Sequence, residues 1–245
     1  MKGFKRMFIA NFKEFIRDRA GLFWLLAFPV IFIGLFGLLF AGESQASGFN
    51  DFDFVFPGIM AMALMQLGLF GAMNFLSLRE NKVIRSLSVT PLSKMALLSS
   101  EILLKILIGF AQSSIILTIG ILVFGIEVTN PLYLIYFFVL IGSMVFVSLG
   151  YMLITFATSI ESGSGIAQVA QISMMFLAGI FFPVELLPDL IQPVVRVIPL
   201  TYLADGFRQV IVGLPGNYPM ALNLSFLVGW LLITSAVTMK FWRWE

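Results

Sequence analysis

Few side chains in this sequence could carry out chemistry, and most of those are carboxylates. The 245 residues include no Cys and no His, which excludes thiolate chemistry, a Ser-His triad and the usual zinc sites. A phosphate-binding loop of the form G-x-x-x-x-G-K-S/T occurs nowhere. The sequence therefore predicts no metal site and no cofactor in this chain. Any ATP and magnesium that power it would be bound by a partner subunit.

A membrane enzyme would have to depend on carboxylates. The candidates are Asp51, Asp53, Glu185 and Asp189, and their spacing matches no catalytic pattern. The sequence therefore argues against an enzyme.

Charged residues inside the apolar stretches are nearly absent. Glu101 and Lys105 lie four residues apart near the start of one stretch, so they share a helix face and can pair. An ion-coupled transporter generally needs an acidic residue or relay at membrane depth, and no other acidic residue stands out. The remaining possibilities for a transport protein are an external energy source or a passive channel.

The composition indicates an all-α membrane protein. Hydrophobic residues make up 60% of the chain and charged residues 11%, whereas a soluble domain has about 25% charged residues. A helical span needs about 20 apolar residues. Six such spans are predicted, at residues 21–41, 54–78, 96–124, 132–158, 165–182 and 220–241.

The distribution of basic residues predicts the orientation of these spans. Residues 1–19, 79–105 and 240–243 hold 13 of the 15 Lys and Arg. The positive-inside rule places these regions in the cytoplasm, so both termini are cytoplasmic, as an even number of spans requires. We expect a multi-pass protein of a prokaryotic plasma membrane. The net charge of +2 is too small to indicate nucleic-acid binding.

The first 19 residues form the first predicted unit, and residues 20–245 form the transmembrane unit. Apolar side chains at three- and four-residue spacing make one stripe on a helix: Phe4, Phe8, Phe12, Phe15 and Ile16. Basic residues surround this stripe. The pattern predicts an amphipathic helix at the membrane surface, and the alternative is an ordinary cytosolic extension.

Residues 183–219, between the fifth and sixth spans, break the membrane pattern. They contain six of the ten prolines of the chain and also two arginines, Arg196 and Arg208. An Arg at the centre of a span costs about 2.5–3.5 kcal/mol, and prolines remove helix hydrogen bonds that lipid cannot replace. We predict short re-entrant helices in the outer leaflet, with Asp205 and Arg208 paired on one face.

Polar and Met side chains of the second and fifth spans are candidates for a substrate path. Met is flexible and suits varied apolar ligands. The candidates are Met60, Met65, Gln66 and Asn74 in the second span, and Gln168, Gln171 and Met175 in the fifth. Plain helix packing is the alternative for each of them. Gly68 and Ala72 have the small-xxx-small spacing that lets helices approach closely.

The polar, basic stretch 79–95 between the second and third spans is the predicted contact with a soluble partner. It combines charge with a short apolar edge and a second helix start at Thr90 and Pro91. A short amphipathic helix can lie in the groove of a partner. The alternative is an ordinary loop on lipid headgroups. The candidate contact residues are Arg79, Glu80, Val83, Ile84, Arg85, Leu87 and Pro91.

Residues 179–188, GIFFPVELLP, followed by Pro199, Leu200, Tyr202 and Arg208, resemble the signature of type-2 ABC exporter permeases. The family pattern has a Pro, an apolar residue, any residue, an aromatic or polar one, and Arg or Gln six positions on. The stretch 79–93 also looks like the segment after this family's second span. The outer signature that we carry over comprises Gly179, Pro183, Pro199, Tyr202, Asp205 and Arg208, in structural roles.

The resemblance implies a transport subunit that is not itself an enzyme. Such permeases work as dimers with two ATPase subunits on the cytoplasmic side, which contact the amphipathic helix and the 79–95 segment. The second and fifth spans then line the path, and the outer helices close its exit. We expect an exporter of lipophilic or amphipathic compounds such as drugs, antibiotics or lipid-like molecules, with a homodimer as the default. The alternative is an ATP-independent channel or an ion-coupled carrier.

Overall fold

The computed structural model describes residues 2–40, 51–82, 94–181, 184 and 188–242, and within these ranges the chain is helical and has no strand. The helices, numbered in chain order, are α1 (Lys2–Arg17), α2 (Arg19–Phe40), α3 (Asp51–Gly71), α4 (Met73–Glu80), α5 (Lys94–Phe124), α6 (Leu132–Phe156), α7 (Ile160–Leu177), α8 (Gln192–Val195), α9 (Pro199–Ile211) and α10 (Met220–Phe241). This confirms the predicted all-α class.

Five helical stretches are long and apolar enough to cross a membrane: Arg19–Phe40, Asp51–Glu80, Ala96–Phe124, Leu132–Phe156 and Met220–Phe241. They coincide with five of the six predicted spans. The stretch Asp51–Glu80 comprises α3 and α4. The remaining predicted span, 165–182, overlaps α7, whose glutamines and serines lower its apolar content. The crossing of the membrane by α7 stays a prediction.

Local sequence signals set where several helices begin. Pro131 and Pro219 stand just before α6 and α10 in an extended conformation, and Pro199 is the first residue of α9. Proline suits these positions because the first helical N–H groups have no intrahelical partner. α7 begins five residues before the predicted span, because Ser159 and Ser162 form a reciprocal capping box.

The two ends of the helix bundle differ in character. Arg79 contacts the end of α6, and Phe75 of α4 packs against Trp242 after α10, with 4.9 Å between ring centroids. We call this end, with α1 and the start of α5, the basic end. At the other end Thr129 donates a backbone hydrogen bond to Ile211 at the end of α9. We call this end, with the start of α3 and residues 125–131 and 188–219, the proline-rich end.

α3 is the central helix. Fifteen of its 21 residues are buried, whereas α2 and α10 each bury only three. α3 packs against α6, α9, α2 and α5. Its contact with α6 is close enough that a Cβ atom on Gly68 would overlap the backbone of Phe146, and one on Gly150 would overlap the carbonyl of Gly68. The predicted close approach at Gly68 is therefore present.

α1 lies along α5. Asn11 donates a hydrogen bond to the Ser100 hydroxyl at 3.1 Å, and the rings of Phe4, Phe8 and Phe12 stack in succession. Phe8 and Phe15 are half-buried, while Phe12 is 45% exposed. The predicted amphipathic helix is present, and its apolar face is only partly covered by the bundle. That leaves apolar surface for lipid, in line with the predicted position at the membrane surface.

The proline-rich segment contains the two short helices α8 and α9. α9 is amphipathic in sequence, yet 12 of its 13 residues are buried against α3, α6 and α10. The segment before α9 is less covered, because Leu190, Val194 and Val197 are 90%, 52% and 57% exposed. The insertion of α8 and α9 into a membrane stays a prediction. Pro183 lies outside the described residues.

Candidate functional site

A cavity of about 770 Å³ lies towards the basic end, enclosed by α1, α2, α3, α4, α5 and α7. Its rim carries the exposed side chains of Glu14, Asp18 and Trp24. Its base carries the buried side chains of Glu101 and Gln171. The volume falls within the range of about 300–1,000 Å³ that is usual for small-molecule sites.

Glu101 is the buried charged group of this cavity. Its side chain is 1% exposed, and neither carboxylate oxygen accepts a hydrogen bond from the described residues. Three nearby polar groups favour its charged form: Lys105, Tyr151 and Asn74. Glu14 is a nearby like charge that opposes it. Because a buried charge is costly unless it is paired and hydrogen-bonded, this carboxylate has unused binding capacity.

The predicted Glu101–Lys105 pair is not formed in this arrangement. The carboxylate oxygens have no partner, and the Lys105 ammonium lies 5.9 Å from the centroid of the Phe15 ring. The reason is the packing of α1 on α5, because Lys105 also interacts electrostatically with Glu14 and Asp18 of the α1 segment. Three carboxylates therefore compete for one ammonium group.

Four of the seven predicted path residues line this cavity: Gln66, Asn74, Gln168 and Gln171. Met60 and Met65 do not. Both are fully buried in the core cluster around α3, because this helix is enclosed by its own chain on nearly every side. Met175 is half-buried and packs against the same core. Contact between any of the seven and a substrate stays a prediction.

The contribution of α1 and the residue after it to the cavity was not predicted. Asn11, Glu14 and Asp18 all line the cavity. Their spacing of three and four residues places them on one helix face, beside the Phe stripe, and Phe15 of that stripe lines the cavity with them. That spacing of polar residues is the signal that could have identified them.

Arg79 and Glu80 bind the connection between α6 and α7. Arg79 Nη2 donates to the carbonyl oxygens of Ile154, at 3.3 Å, and of Ala157. Glu80 Oε2 accepts a hydrogen bond of 2.8 Å from the backbone N–H of Ile160. A cation thus meets the carbonyl end of α6 and an anion meets the amide end of α7, as the helix dipoles favour. Both predicted partner-contact residues are therefore attached to their own chain.

This contact makes α4 an anchor for the start of α7. Val83, Ile84, Arg85, Leu87 and Pro91, which are the other predicted partner-contact residues, lie outside the described residues.

We expect a Glu80→Ala variant to loosen the start of α7. The variant removes both the acceptor for the Ile160 N–H and a favourable charge at a helix N-terminus. Amide hydrogen exchange at residues 159–162 should become about threefold to tenfold faster. The matched control is Glu161→Ala, which removes a carboxylate from the same helix start without touching this hydrogen bond. Equal acceleration of hydrogen exchange in both variants would contradict the role of the Glu80 hydrogen bond and would indicate a charge effect alone.

At the proline-rich end, Arg208 joins three parts of the chain. Its Nε donates to the carbonyl of Phe54 at 2.9 Å, and its Nη2 donates to those of Gly179 at 2.6 Å and Ile180 at 3.2 Å. Its guanidinium carbon lies 3.6 Å from the centroid of the Phe54 ring. Gly179 has a φ of +69°, which a glycine adopts without strain.

The predicted pairing of Asp205 with Arg208 is not formed. Asp205 instead accepts hydrogen bonds from the backbone N–H groups of Asn217 and Tyr218 and from the side chains of Asn223 and Gln209, at 2.8–3.3 Å. Backbone amides of the 213–219 turn compete successfully because they stabilise a carboxylate without a second buried charge. Asp205 thus fixes the turn that leads into α10.

Tyr202 holds α8 to α9. Its hydroxyl donates a hydrogen bond of 2.6 Å to the Arg196 carbonyl, and its ring stacks on Phe226 of α10 with 3.9 Å between centroids. Pro199 is buried at the start of α9. These contacts are all within the chain, and the structural role of the outer signature stays a prediction.

Within the described ranges, no three His, Cys, Asp or Glu residues come close enough to hold a metal ion. Of the outer carboxylates, Asp189 accepts a hydrogen bond of 3.2 Å from Gln192, and Asp51 and Asp53 lie in the first turn of α3. Glu185 lies outside the described residues.

The chain is a membrane permease component by its family. Residues 2–212 match the family model described as ABC-2 type transporter. The match covers most of the chain, from α1 through α9, so this protein belongs to the ABC-2 type transporter family. Members of the family are membrane components of ABC transporters and generally work with ABC ATPase subunits.

Three relatives illustrate the similarity. The daunorubicin resistance ABC transporter permease protein DrrB1 of Streptomyces coeruleorubidus is 23% identical over 239 residues, which cover 89% of this chain and 78% of DrrB1. YvfS of Bacillus subtilis (strain 168) is 20% identical over 238 residues, covering 95% of this chain and 94% of YvfS. The uncharacterized protein YhgE of the same strain is 35% identical over 105 residues, which are 43% of this chain but 13% of YhgE.

Proposed function

We propose that this chain is the transmembrane permease subunit of an ATP-driven exporter, with ATP and magnesium bound by a separate ATPase subunit. The observation that carries the proposal is the ABC-2 family match over residues 2–212, in a chain that has no phosphate-binding loop of its own. Two ATPase copies and a second permease copy complete the transporter. The assembly lies in a prokaryotic plasma membrane with both termini in the cytoplasm.

The basic end is where ATP-driven movement enters the chain. The 79–95 segment and α1 contact the ATPase, and Arg79 and Glu80 pass its displacement to the start of α7. α7 carries Gln168 and Gln171 at the cavity. The proline-rich end, held by Arg208 and Asp205, stays rigid and closes the exit. Such rigid-body movement of helices is a common form of switching.

The cavity supports an amphipathic or lipophilic substrate. Phe15, Trp24, Phe28 and Phe70 contribute aromatic surface, and amide side chains contribute hydrogen-bonding groups. The similarity to a permease named for daunorubicin resistance supports a drug or antibiotic. Lipid-like molecules fit the same description.

The test of this function is co-purification of the chain from native membranes with assay of ATPase activity. We expect a stoichiometric partner that carries a phosphate-binding loop, and efflux from cells that depends on ATP. Arg85→Ala and Leu87→Ala should reduce efflux by about tenfold or more, because the 79–95 segment transmits the movement. Arg196→Ala, which removes an exposed arginine from the proline-rich end, is the matched control. A partner-free chain, or unchanged efflux in both variants, would overturn the proposal.

An ion-coupled carrier is the second candidate, and one observation favours it. Glu101 is a buried acidic residue within a membrane-spanning helix, which is the kind of residue that such carriers use. Transport into vesicles that continues without ATP and stops when a protonophore is added would support the carrier. Transport that requires ATP and resists the protonophore would exclude it.

A further inference from the structure

The cavity near the basic end carries an excess of negative charge. Its lining includes the carboxylates of Glu14, Asp18 and Glu101 and one cationic side chain, that of Lys105. Three negative groups and one positive group leave a formal charge of −2. This sign is unusual for an end of the molecule where most nearby charged residues are basic.

The deepest of these carboxylates, Glu101, accepts no hydrogen bond from the described residues. Glu101 is 1% exposed, both of its oxygens lack hydrogen bonds within the described ranges, and Lys105 does not form an ion pair with it. The carbonyl oxygen of the Gln66 side chain, on the same cavity, is also buried without a partner. Tyr151 is a donor beside Glu101, and its hydroxyl likewise has no hydrogen-bond partner among the described residues. A donor that enters the cavity can satisfy these acceptors.

The walls of the cavity suit an organic rather than an inorganic cation. Phe15, Trp24, Phe28 and Phe70 line it. Aromatic faces attract cationic groups and also bury apolar surface. The cavity volume of about 770 Å³ is far larger than a single ion requires and is suited to a drug-sized molecule. A bare metal ion would also need several converging oxygen ligands, and the described carboxylates do not converge on one point.

We propose that this cavity binds an amphipathic organic cation with a protonated amine. The ammonium group sits against Glu101 and the Gln66 amide oxygen, and the apolar body lies between the aromatic walls. Glu14 and Asp18 at the exposed rim attract the cation before it enters. This inference rests on the proposed transport function and names the substrate class of the same cavity.

A binding experiment on the full chain in lipid nanodiscs tests this inference without the ATPase. The probe is dansylcadaverine, a fluorescent amphipathic primary amine, and its N-acetyl derivative is the neutral match of nearly equal shape. We expect wild type to bind the amine about tenfold or more tightly than the acetylated probe. Glu101→Gln should remove most of that preference, while Glu101→Asp should keep most of it.

Glu127→Gln is the matched control, because Glu127 is an exposed carboxylate in the loop after α5. It should bind both probes as wild type does. Equal binding of amine and acetylated probe by wild type would overturn the inference, and this comparison needs no variant that might misfold. Displacement of the amine by 100 mM NaCl, but not by an equal concentration of choline chloride, would indicate a sodium site instead and would also overturn it.

The cation site and the exporter assignment can fail independently of each other. If the chain binds the amine no more tightly than the acetylated probe but still co-purifies with an ATPase, the substrate class is wrong and the exporter assignment stands. If the amine binds at Glu101 but no ATPase accompanies the chain, the cation site stands and the exporter assignment fails.

Discussion

An Arg208→Ala variant should lose most of its folded population. The guanidinium donates to three backbone carbonyls from different parts of the chain, and the residue is 5% exposed. Hydrogen bonds from a charged donor contribute about 1.5–3 kcal/mol each, so loss of the two shorter ones costs about 3–6 kcal/mol. Proteins are stable by only about 5–15 kcal/mol. The measurement is the fraction of monodisperse protein by fluorescence-detected size-exclusion chromatography after heating.

Two further variants define what the guanidinium contributes. Arg208→Gln keeps two donors on a shorter side chain and should be intermediate, since an amide cannot span carbonyls that the Nε and Nη2 atoms reach separately. Arg196→Ala removes an exposed guanidinium from the same segment and should behave as wild type. If Arg208→Ala and Arg196→Ala melt at the same temperature, the carbonyl contacts do not hold the proline-rich end together.

The junction at Arg208 is also relevant to transport. It ties the start of α3 to the segment after α7 and to α9. α3 belongs to the most buried of the candidate membrane spans. We therefore expect the fixed junction at its start to resist, at the proline-rich end, any movement introduced at the basic end. We expect the relative motion of the helices to be largest near the cavity.

The helix positions could largely be predicted from the sequence, because long apolar stretches and the prolines between them determine where helices lie. α2, α5, α6 and α10 begin within a few residues of the predicted spans. The amphipathic α1 followed from the Phe stripe. The start of α7 did not, because the run ESGSG after Ile160 is typical of a loop and only the capping box and the Glu80 contact favour a helix there.

The site was less predictable because it depends on long-range packing. An apolar helix such as α3 carries no signal that separates a core position from a path position, and so the sequence left both open for Met60, which is fully buried. The spacing of Glu101 and Lys105 predicted a pair on one helix face, whereas Glu101 is buried where α1 packs on α5. The partners of Arg208 are backbone carbonyls up to 154 residues away, which residue types cannot reveal.

A Gly150→Ala variant should destabilise the contact between the two best-packed helices. A Cβ atom there would overlap the carbonyl of Gly68, and a Cβ on Gly68 would overlap the Phe146 backbone. Backbone atoms cannot rotate away as side chains do, so α3 and α6 must separate. Overpacking of this kind costs about 1–3 kcal/mol. We expect a lower melting temperature and, because α3 borders the cavity, weaker substrate binding.

The matched control reverses the sign of the effect. Gly229 lies in α10 with no atom within 4 Å of a Cβ built on it, so Gly229→Ala should raise stability by about 0.5–1 kcal/mol through the lower flexibility of the unfolded chain. The double variant Gly68→Ala with Gly150→Ala should cost less than the sum of the single variants, since one separation of the helices accommodates both methyl groups. Stabilisation by Gly150→Ala, or strict additivity of the pair, would mean that α3 and α6 do not meet backbone to backbone.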